Sequence, residues 1–367
     1  MVLRPIFLNL NTTKMASKYK VIGLMSGTSM DGLDVAYCEL IQDDGVWAFE
    51  IKQAKTISYS PSWLEQLNTA RILNSFELEV LSKDYGKLLA DNVNQCMGEW
   101  GLSEIDFVAS HGHTIHHQPD KGVTVQIGDG GIMAKVLNIP VVNDFRTADV
   151  KLGGQGAPLV PIGDNLLFGE YEACLNLGGF ANISFIKDGK RQAFDIGPAN
   201  IVLNHISKML GFHYDTNGDL AKTGSVLPDL LKSLNEIPYY SYPLPKSLGV
   251  EWVEEYVYSK FKAEFSEIDL LRTLVEHVTD QIGKVISKGG FDSVLITGGG
   301  AYNTFLIESL RLKVKSKIVI PIDEIVDYKE ALIFAFLGVL RWEKRVNVLS
   351  SVTGAKQDHC SGQIHMT

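Results

Sequence analysis

Ten residues, Met25-Ser-Gly-Thr-Ser-Met-Asp-Gly-Leu-Asp34, restrict this chain more than any other stretch. A strand-like run, Tyr19-Lys-Val-Ile-Gly-Leu24, enters them and a second, Leu33-Asp-Val-Ala-Tyr-Cys-Glu-Leu40, leaves them. The pattern is a β-hairpin whose turn is loaded with glycine, hydroxyl and acid. Clustered backbone N–H groups and hydroxyls can wrap phosphate oxygens, and Asp31 and Asp34 are oxygen donors of the kind a magnesium ion accepts. The plainer reading is a hairpin with ordinary turn residues. A second hairpin of the same kind weighs against it. Ala173-Cys-Leu-Asn-Leu177 runs into Gly178-Gly179, passes Asn182 and returns through Ile183 to Phe185. A third glycine turn, Gly298-Gly299-Gly300, follows the apolar run Ser293–Thr297 and precedes a helix-like stretch from Asn303 to Leu312. Neither a P-loop nor a Gly-x-Gly-x-x-Gly after the first strand occurs, so a nucleotide enzyme with this sequence is neither a Walker-type ATPase nor a simple dinucleotide dehydrogenase.

The order of elements is also duplicated. Strands at 19–25, 33–41 and 46–57 come first, followed by helices near 61–72 and 76–99. The second helix has Leu78, Leu81, Tyr85, Leu88, Leu89 and Val93 near helical spacing. A strand at 107–110, a polar loop from Ser110 to Asp120, a strand at 123–127, a helix near 129–137 and the strand 140–142 follow. Lys151-Leu-Gly-Gly-Gln-Gly-Ala-Pro-Leu-Val-Pro161 reads as a boundary, because Gly and Pro punctuate structure. Strands at 172–178, 182–187 and 191–196 then repeat the opening. A proline-rich loop at 236–250, an amphipathic helix near 266–287, a late strand at 292–297 and a nearly all-apolar helix from Glu330 to Trp342 complete the pattern. Two successive strand-plus-helix units imply a duplicated α/β architecture with a ligand cleft between its halves.

With 367 residues, 45% of them apolar, the chain can build two cores. A net charge of −9 excludes general nucleic-acid binding, which needs basic surface. Cys38, Cys96, Cys174 and Cys360 lack C-x-x-C spacing; Cys38 and Cys174 read as buried small hydrophobes, and the expected compartment is reducing. No membrane span is expected. The short apolar run at the N-terminus is broken by Arg4 and Pro5, so it reads as an extension rather than a signal sequence.

Seven motifs carry a family resemblance. They are Gly23–Asp34, Gln126-Ile-Gly-Asp129, Asp144-Phe-Arg146, Gly153-Gly-Gln-Gly-Ala-Pro-Leu-Val-Pro161, Asn176-Leu-Gly-Gly-Phe-Ala-Asn182, Asp195-Ile-Gly-Pro-Ala-Asn200 and Ser351-Val-Thr-Gly354. In order and combination the chain resembles the anhydro-N-acetylmuramic acid kinases of the sugar kinase/Hsp70/actin superfamily. The resemblance implies a two-lobed, duplicated actin-like (ribonuclease H-like) ATPase fold with an interlobe cleft. The implied boundaries are a poorly ordered extension 1–18, lobe I from 19–158 plus 330–367, and lobe II from 159–329. It implies ATP and Mg2+ as cofactors, an amino-sugar substrate, a cytoplasmic enzyme and a homodimer. The implied reaction opens the 1,6-anhydro bridge with water while the γ-phosphate of ATP passes to O6, an intermediate step of bacterial cell-wall recycling.

Residue by residue, the resemblance marks Asp195 as the group that activates water; without it, an Asp before Gly197-Pro198 is more often a plain turn or cap. Gly27, Thr28, Ser29, Met30, Asp31, Gly32, Leu33 and Asp34 would form one phosphate hairpin, Gly178, Gly179 and Asn182 the opposing one, and Gly298, Gly299 and Gly300 the adenosine turn. His111, Thr114, Arg146 and Glu330 would meet the sugar. Arg146 is open between the lactyl carboxylate or a hydroxyl of the sugar and a salt bridge to Asp144 or Asp149. Glu330 also suits the helix dipole if it opens the final helix. The cluster His111–His117 reads as cleft-edge polar loop rather than a metal site, since H-x-H supplies only two ligands; His113 departs from the family's Gln. The magnesium ligands stay unassigned. The alternatives are another sugar kinase of this fold, or a nucleotide-gated, chaperone-like binding protein.

Overall fold

The structure is a computed structural model that describes residues 16–27 and 30–367. The first fifteen residues, with most of the expected extension, and the two hairpin positions Thr28 and Ser29 lie outside the described residues. Ser17 and Lys18, expected within that extension, instead begin the first strand and pair with Gln42 and Ile41. The chain divides into two compact units, one of residues up to Leu167 together with Tyr328–Thr367, the other Phe168–Asp327.

In the first unit, β1 (Ser17–Ser26), β2 (Leu33–Asp43) and β3 (Val46–Ile57) form an antiparallel meander. β4 (Phe107–Gln118) pairs parallel to β1 on its other side, β5 (Val123–Ile127) folds back on β4, and β6 (Val141–Asn143) runs parallel to β4. The C-terminal strand Gln363–His365 closes the edge against β6. The long helix Ser75–Glu99 starts at a capping box, in which Asn74 accepts from Glu77 N–H and the Glu77 carboxylate accepts from Asn74 N–H. Its Leu81, Tyr85, Leu89 and Val93 are buried in the core shared with β1, β2 and β4, as their spacing predicts.

In the second unit, β7 (Ala173–Leu177), β8 (Phe180–Lys187) and β9 (Lys190–Pro198) form another antiparallel meander. β10 (Ser293–Thr297) pairs parallel to β7, and β11 (Lys317–Val319) parallel to β10. Helix Glu267–Gly289, capped by Ser266, buries Leu270, Leu271, Leu274, Val278 and Ile282 in the unit's core. The orders β3-β2-β1-β4-β6 and β9-β8-β7-β10-β11 are the same arrangement with the same strand senses. This is the ribonuclease H-like sheet, present twice, and the duplicated α/β fold is therefore real at the level of strand pairing.

Two local expectations are corrected. The stretch Ser110–Gln118 is strand, not loop, because its residues complete ladders with both β1 and β5. The last long helix begins at Asp323 and runs to Trp342, so Glu330 lies about two turns inside it and gains nothing from the helix N-terminus, whose field fades within the first turn. Nothing in this helix is long and apolar enough to cross a membrane, nor in any other described helix.

Gly23 shows how tightly that helix sits on β1: a Cβ there would lie 2.0 Å from the Ala331 carbonyl oxygen. Backbone cannot yield as a side chain does, so Gly23→Ala is expected to lower stability by at least ~2 kcal/mol. The measurement is the urea midpoint of the variant against the parent chain; an unchanged midpoint would show that the helix can shift without loss.

Candidate active site

The candidate residues fall at the ends of the central strands in each unit. In the first unit the β1–β2 turn begins after Ser26, where Met30 N–H donates to Gly27 O at 3.2 Å. Gly32 is required by space, since a Cβ would sit 2.6 Å from Thr56 Cγ2 and 2.9 Å from Ile57 O. Leu33 is buried, Asp31 is exposed, and Asp34 Oδ1 accepts from Thr56 Oγ1 at 2.6 Å. Beneath the turn lies a buried polar chain that sequence reading missed. Ser26 Oγ is 2.7 Å from Tyr59 OH and 2.8 Å from His113 Nδ1, and Tyr59 OH is 2.6 Å from Tyr85 OH. A tyrosine in a strand-to-helix loop carries no spacing signal, so only the fold brings Tyr59 to Ser26.

His111, Arg146 and Glu330 come together in the same unit. Arg146 Nε and Nη2 approach His111 Nε2 at 3.0 and 2.8 Å, while Nη1 donates to Gly156 O at 2.6 Å. An always-charged guanidinium only donates, so Nε2 of His111 must be the acceptor and its proton must sit on Nδ1. Burial, then the Arg146 charge, hold His111 well below the ordinary histidine range, so it is neutral. Burial lowers Arg146 to about 10, opposed by the nearby charges of Glu330 and Asp149. Glu330 is partly buried; burial raises its carboxyl pKa, and Lys329 and Arg146 moderate the rise. Thr114 lies apart from this trio on β4, where Gln126 Nε2 donates to its Oγ1 at 3.4 Å.

Arg146 makes no salt bridge to Asp144 or Asp149. Asp144, with φ of 53°, accepts from Thr147 N–H and from Gln363 Nε2. Asp149 is wholly buried and organises two motifs at once: Oδ2 accepts from Gly156 N–H at 2.7 Å and Oδ1 from Thr353 Oγ1 at 2.7 Å. The Gly153–Gly156 and Ser351–Gly354 motifs therefore meet around one carboxylate. Asp129 is a helix cap, accepting from Ile132 N–H at 2.9 Å. A buried ion pair, Lys329 to Asp164 at 3.1 Å, stands next to Glu330 in sequence and was not foreseen. Among the described residues no group of three or more His, Cys, Asp or Glu is placed to hold a metal ion.

In the second unit a polar row crosses four strands. Thr297 of β10 pairs with Asn176 of β7, Asn176 with Asn182 of β8, and Asn182 with Asp195 of β9. Directly opposed residues project to one face of a sheet, so these four side chains share a face. Thr297 Oγ1 is buried without a hydrogen-bond partner. The Gly178-Gly179 turn is tied to the start of helix Asn200–Met209, because Ala199 N–H donates to Gly179 O and Asn200 N–H to Gly178 O. Gly298 has φ of 83°, and a Cβ there would lie 2.5 Å from Asn176 Oδ1; at Gly300 it would lie 2.7 Å from Leu177 Cβ. Gly178, Gly179, Asn182, Gly298, Gly299 and Gly300 thus form one neighbourhood, reached from two separate stretches of the chain.

Asp195 lies at its edge. Its Oδ2 accepts from Leu248 N–H at 2.9 Å and its main-chain O from Tyr239 OH at 2.7 Å. Burial raises its carboxyl pKa, and the Leu248 N–H pulls it back. Partly desolvated, ionisable and held through one oxygen, this carboxylate is equipped to accept a proton at the other.

Three of the four buried histidines among the described residues, His111, His113 and His277, are held below the ordinary histidine range. Burial lowers His113 to about 4 and His277 to about 3, and His111 lies well below its usual range. Unfolded histidine takes up a proton near ~6.5. Their contribution is therefore intact above that pH and is lost below it, at up to about 1.4 kcal/mol per pH unit for each group. The raised Asp195 and Glu330 act in the opposite sense at the acid edge of this window. The denaturation midpoint is expected to fall between pH 7 and pH 5; a flat profile would mean that these rings are protonated in the folded chain.

Comparison with known proteins agrees with the motifs. The chain matches the family described as Anhydro-N-acetylmuramic acid kinase over residues 19–367. A protein of that name from Francisella tularensis subsp. novicida is 34% identical, the alignment covering 95% of this chain and 99% of the relative. Another from Pseudomonas fluorescens is 34% identical over 94% and 98% of the two chains. Among solved structures, an activator of the 2-hydroxyisocaproyl-CoA dehydratase from Clostridium difficile with bound ADPNP is 13% identical, covers 89% of this chain and 97% of its own, and has a TM-score of 0.43.

Proposed function

Because the chain belongs to the anhydro-N-acetylmuramic acid kinase family, we propose that it phosphorylates 1,6-anhydro-N-acetylmuramic acid at O6 with ATP while water opens the anhydro bridge. The product is N-acetylmuramic acid 6-phosphate, a species of cell-wall recycling. The observation that carries the catalytic part is Asp195, a half-buried carboxylate with one oxygen bound to Leu248 N–H, in the same row as Asn182 beside the Gly178-Gly179 turn.

Asp195 accepts a proton from the water that attacks the anomeric carbon. The bond from that carbon to O6 breaks, and O6 takes the γ-phosphoryl group as ADP leaves. Proton, bridge oxygen and phosphate are then all accounted for. His111, Arg146 and Glu330 are the sugar-binding set: Arg146 keeps two N–H groups beyond those given to His111 and Gly156, enough for a carboxylate or two hydroxyls. Thr114 is assigned to the same set as a more peripheral contact. For ATP, Gly32 and Gly298 let their turns pack directly on Thr56 and Ile57 and on Asn176 and Leu177, where no side chain would fit, which fixes turns whose backbone N–H groups can meet phosphate oxygens. Gly27 to Asp34, including Thr28 and Ser29, are assigned to the phosphates, together with Gly178, Gly179 and Asn182; Gly298 to Gly300 are assigned to the adenosine. Asp31 and Asp34 fit magnesium, which is commonly held by one or two carboxylates plus phosphate oxygens. When bound, the ion supplies charge neutralisation at the phosphates. An enzyme that consumes ATP works where ATP is, so the proposed compartment is the cytoplasm.

The test is ADP release on 1,6-anhydro-N-acetylmuramic acid with mass spectrometry of the sugar. The expected product gains one phosphate and one water. Phosphate gain only on N-acetylmuramic acid, N-acetylglucosamine or another sugar would make the chain a different sugar kinase, and nucleotide binding without any phosphorylated product would favour a nucleotide-gated binding protein. Asp195→Asn is expected to retain nucleotide binding and lose sugar turnover by at least about 100-fold; near-normal turnover would remove Asp195 from the mechanism.

A further inference from the structure

The proline-rich segment 236–250 is more than a connection. It contains a short 3-10 turn, Pro238–Ser241, and its residues grip Asp195 by three hydrogen bonds. Tyr239 OH donates to Asp195 O at 2.7 Å, Asp195 N–H donates to Lys246 O at 3.3 Å, and Leu248 N–H donates to Asp195 Oδ2 at 2.9 Å. The segment also holds itself together, since Lys246 Nζ donates to Tyr239 O and Tyr240 O and lies 4.5 Å from the centre of the Tyr239 ring.

A second set of bonds keys the segment into helix Glu267–Gly289, and every donor in it can be assigned. The Asp280 carboxylate only accepts, so the amide nitrogen of Asn235 faces it, at 2.8 Å. Asn235 Oδ1 therefore faces His277 and Gln281, and accepts from Gln281 Nε2 at 2.6 Å. His277 Nδ1, 2.7 Å from the same oxygen, must carry the proton, which leaves Nε2 to accept from Tyr240 OH at 2.7 Å. Lys313 fixes the far end by pairing with Asp280. His277 is buried and neutral, so the order of donors does not change over the working pH range. Tyr240 also packs on β9, where a Cβ at Gly197 would come 3.2 Å from its ring.

We propose that residues 238–248 form a positioning strap for Asp195, keyed by Tyr240 and His277, which commits Oδ2 to Leu248 and presents Oδ1 to the proton of the attacking water. Tyr239, Tyr240 and His277 are positioning residues in this arrangement, because they act through Asp195 and touch no reacting atom. The inference rests on Asp195 being the base.

Tyr240→Phe and Tyr239→Phe test it in the full chain, by kcat, by KM for ATP and by the pH dependence of kcat/KM in the ADP-release assay. Each removes one hydroxyl and keeps the ring. Of the titratable groups of the strap, Tyr239 reaches Asp195 through its main-chain oxygen, Tyr240 points to His277 and Lys246 to the Tyr239 and Tyr240 carbonyls, while β8 opposes Asp195 with the uncharged Asn182. Neither substitution changes a charge near neutral pH. The expected result is kcat lower by about tenfold to a hundredfold, with KM for ATP unchanged. The acid limb of the profile should also move to higher pH, since a loosened strap weakens the Leu248 bond that favours the ionised carboxylate. Lowered thermal stability with kcat and the acid limb unmoved in both variants would overturn the strap, reducing it to structure alone. Asp195→Asn separates the two levels. Retained turnover in that variant defeats the assignment of the base and the strap with it, whereas an inactive Asp195→Asn beside unaffected tyrosine variants defeats the strap only.

Discussion

Each unit depends on one strand that is hydrogen-bonded in two senses. β1 pairs antiparallel with β2 and parallel with β4, and β7 pairs antiparallel with β8 and parallel with β10. The glycine turn of each hairpin is thereby fixed at the carboxyl end of a central strand, next to the carboxyl end of a parallel neighbour. That is where ligands bind in open α/β sheets. In the second unit the same pairing aligns Thr297, Asn176, Asn182 and Asp195 in one row, and it brings Gly298 against Asn176 at a distance no side chain would permit.

Buried polar groups around the candidate residues serve chiefly to remove freedom. Asp149 joins two motifs that lie some two hundred residues apart in the chain, and Ser26 joins the entry of the hairpin to Tyr59 and His113. Arg146 spends three of its N–H groups on His111 and Gly156, so its guanidinium is already oriented. A side chain held in this way loses little further entropy when it binds, which is the benefit of preorganisation. The chain Lys313–Asp280–Asn235–His277–Tyr240 extends the same economy of motion to the segment that grips Asp195.

The two local corrections differ in cause. Ser110–Gln118 is polar and rich in histidine, and read alone it resembles a loop, yet it is a strand because β1 and β5 supply ladders on both sides. Glu330 looks like the start of an apolar helix, yet the polar residues from Asp323 already form its first turns. The strand's backbone is satisfied by neighbours distant in sequence, which local composition has no means of registering; the helix satisfies its own backbone, and among its polar opening residues Lys329 is held by the distant Asp164.

By itself the sequence determined the duplicated strand-and-helix order, the three glycine turns, the buried face of helix Ser75–Glu99 and the family. These follow from local geometry: a turn needs its glycines, a helix repeats its apolar face, and motifs keep their order along the chain. It also singled out Asp195, His111, Arg146 and Glu330 as types of chemistry. Only the tertiary structure decided their states. It joined Arg146 to His111 rather than to Asp144 or Asp149, placed the proton of His111 on Nδ1, and gave Leu248 one oxygen of Asp195. Such states are set by burial and by hydrogen-bond partners brought from elsewhere in the fold, and neither exists until the chain has packed.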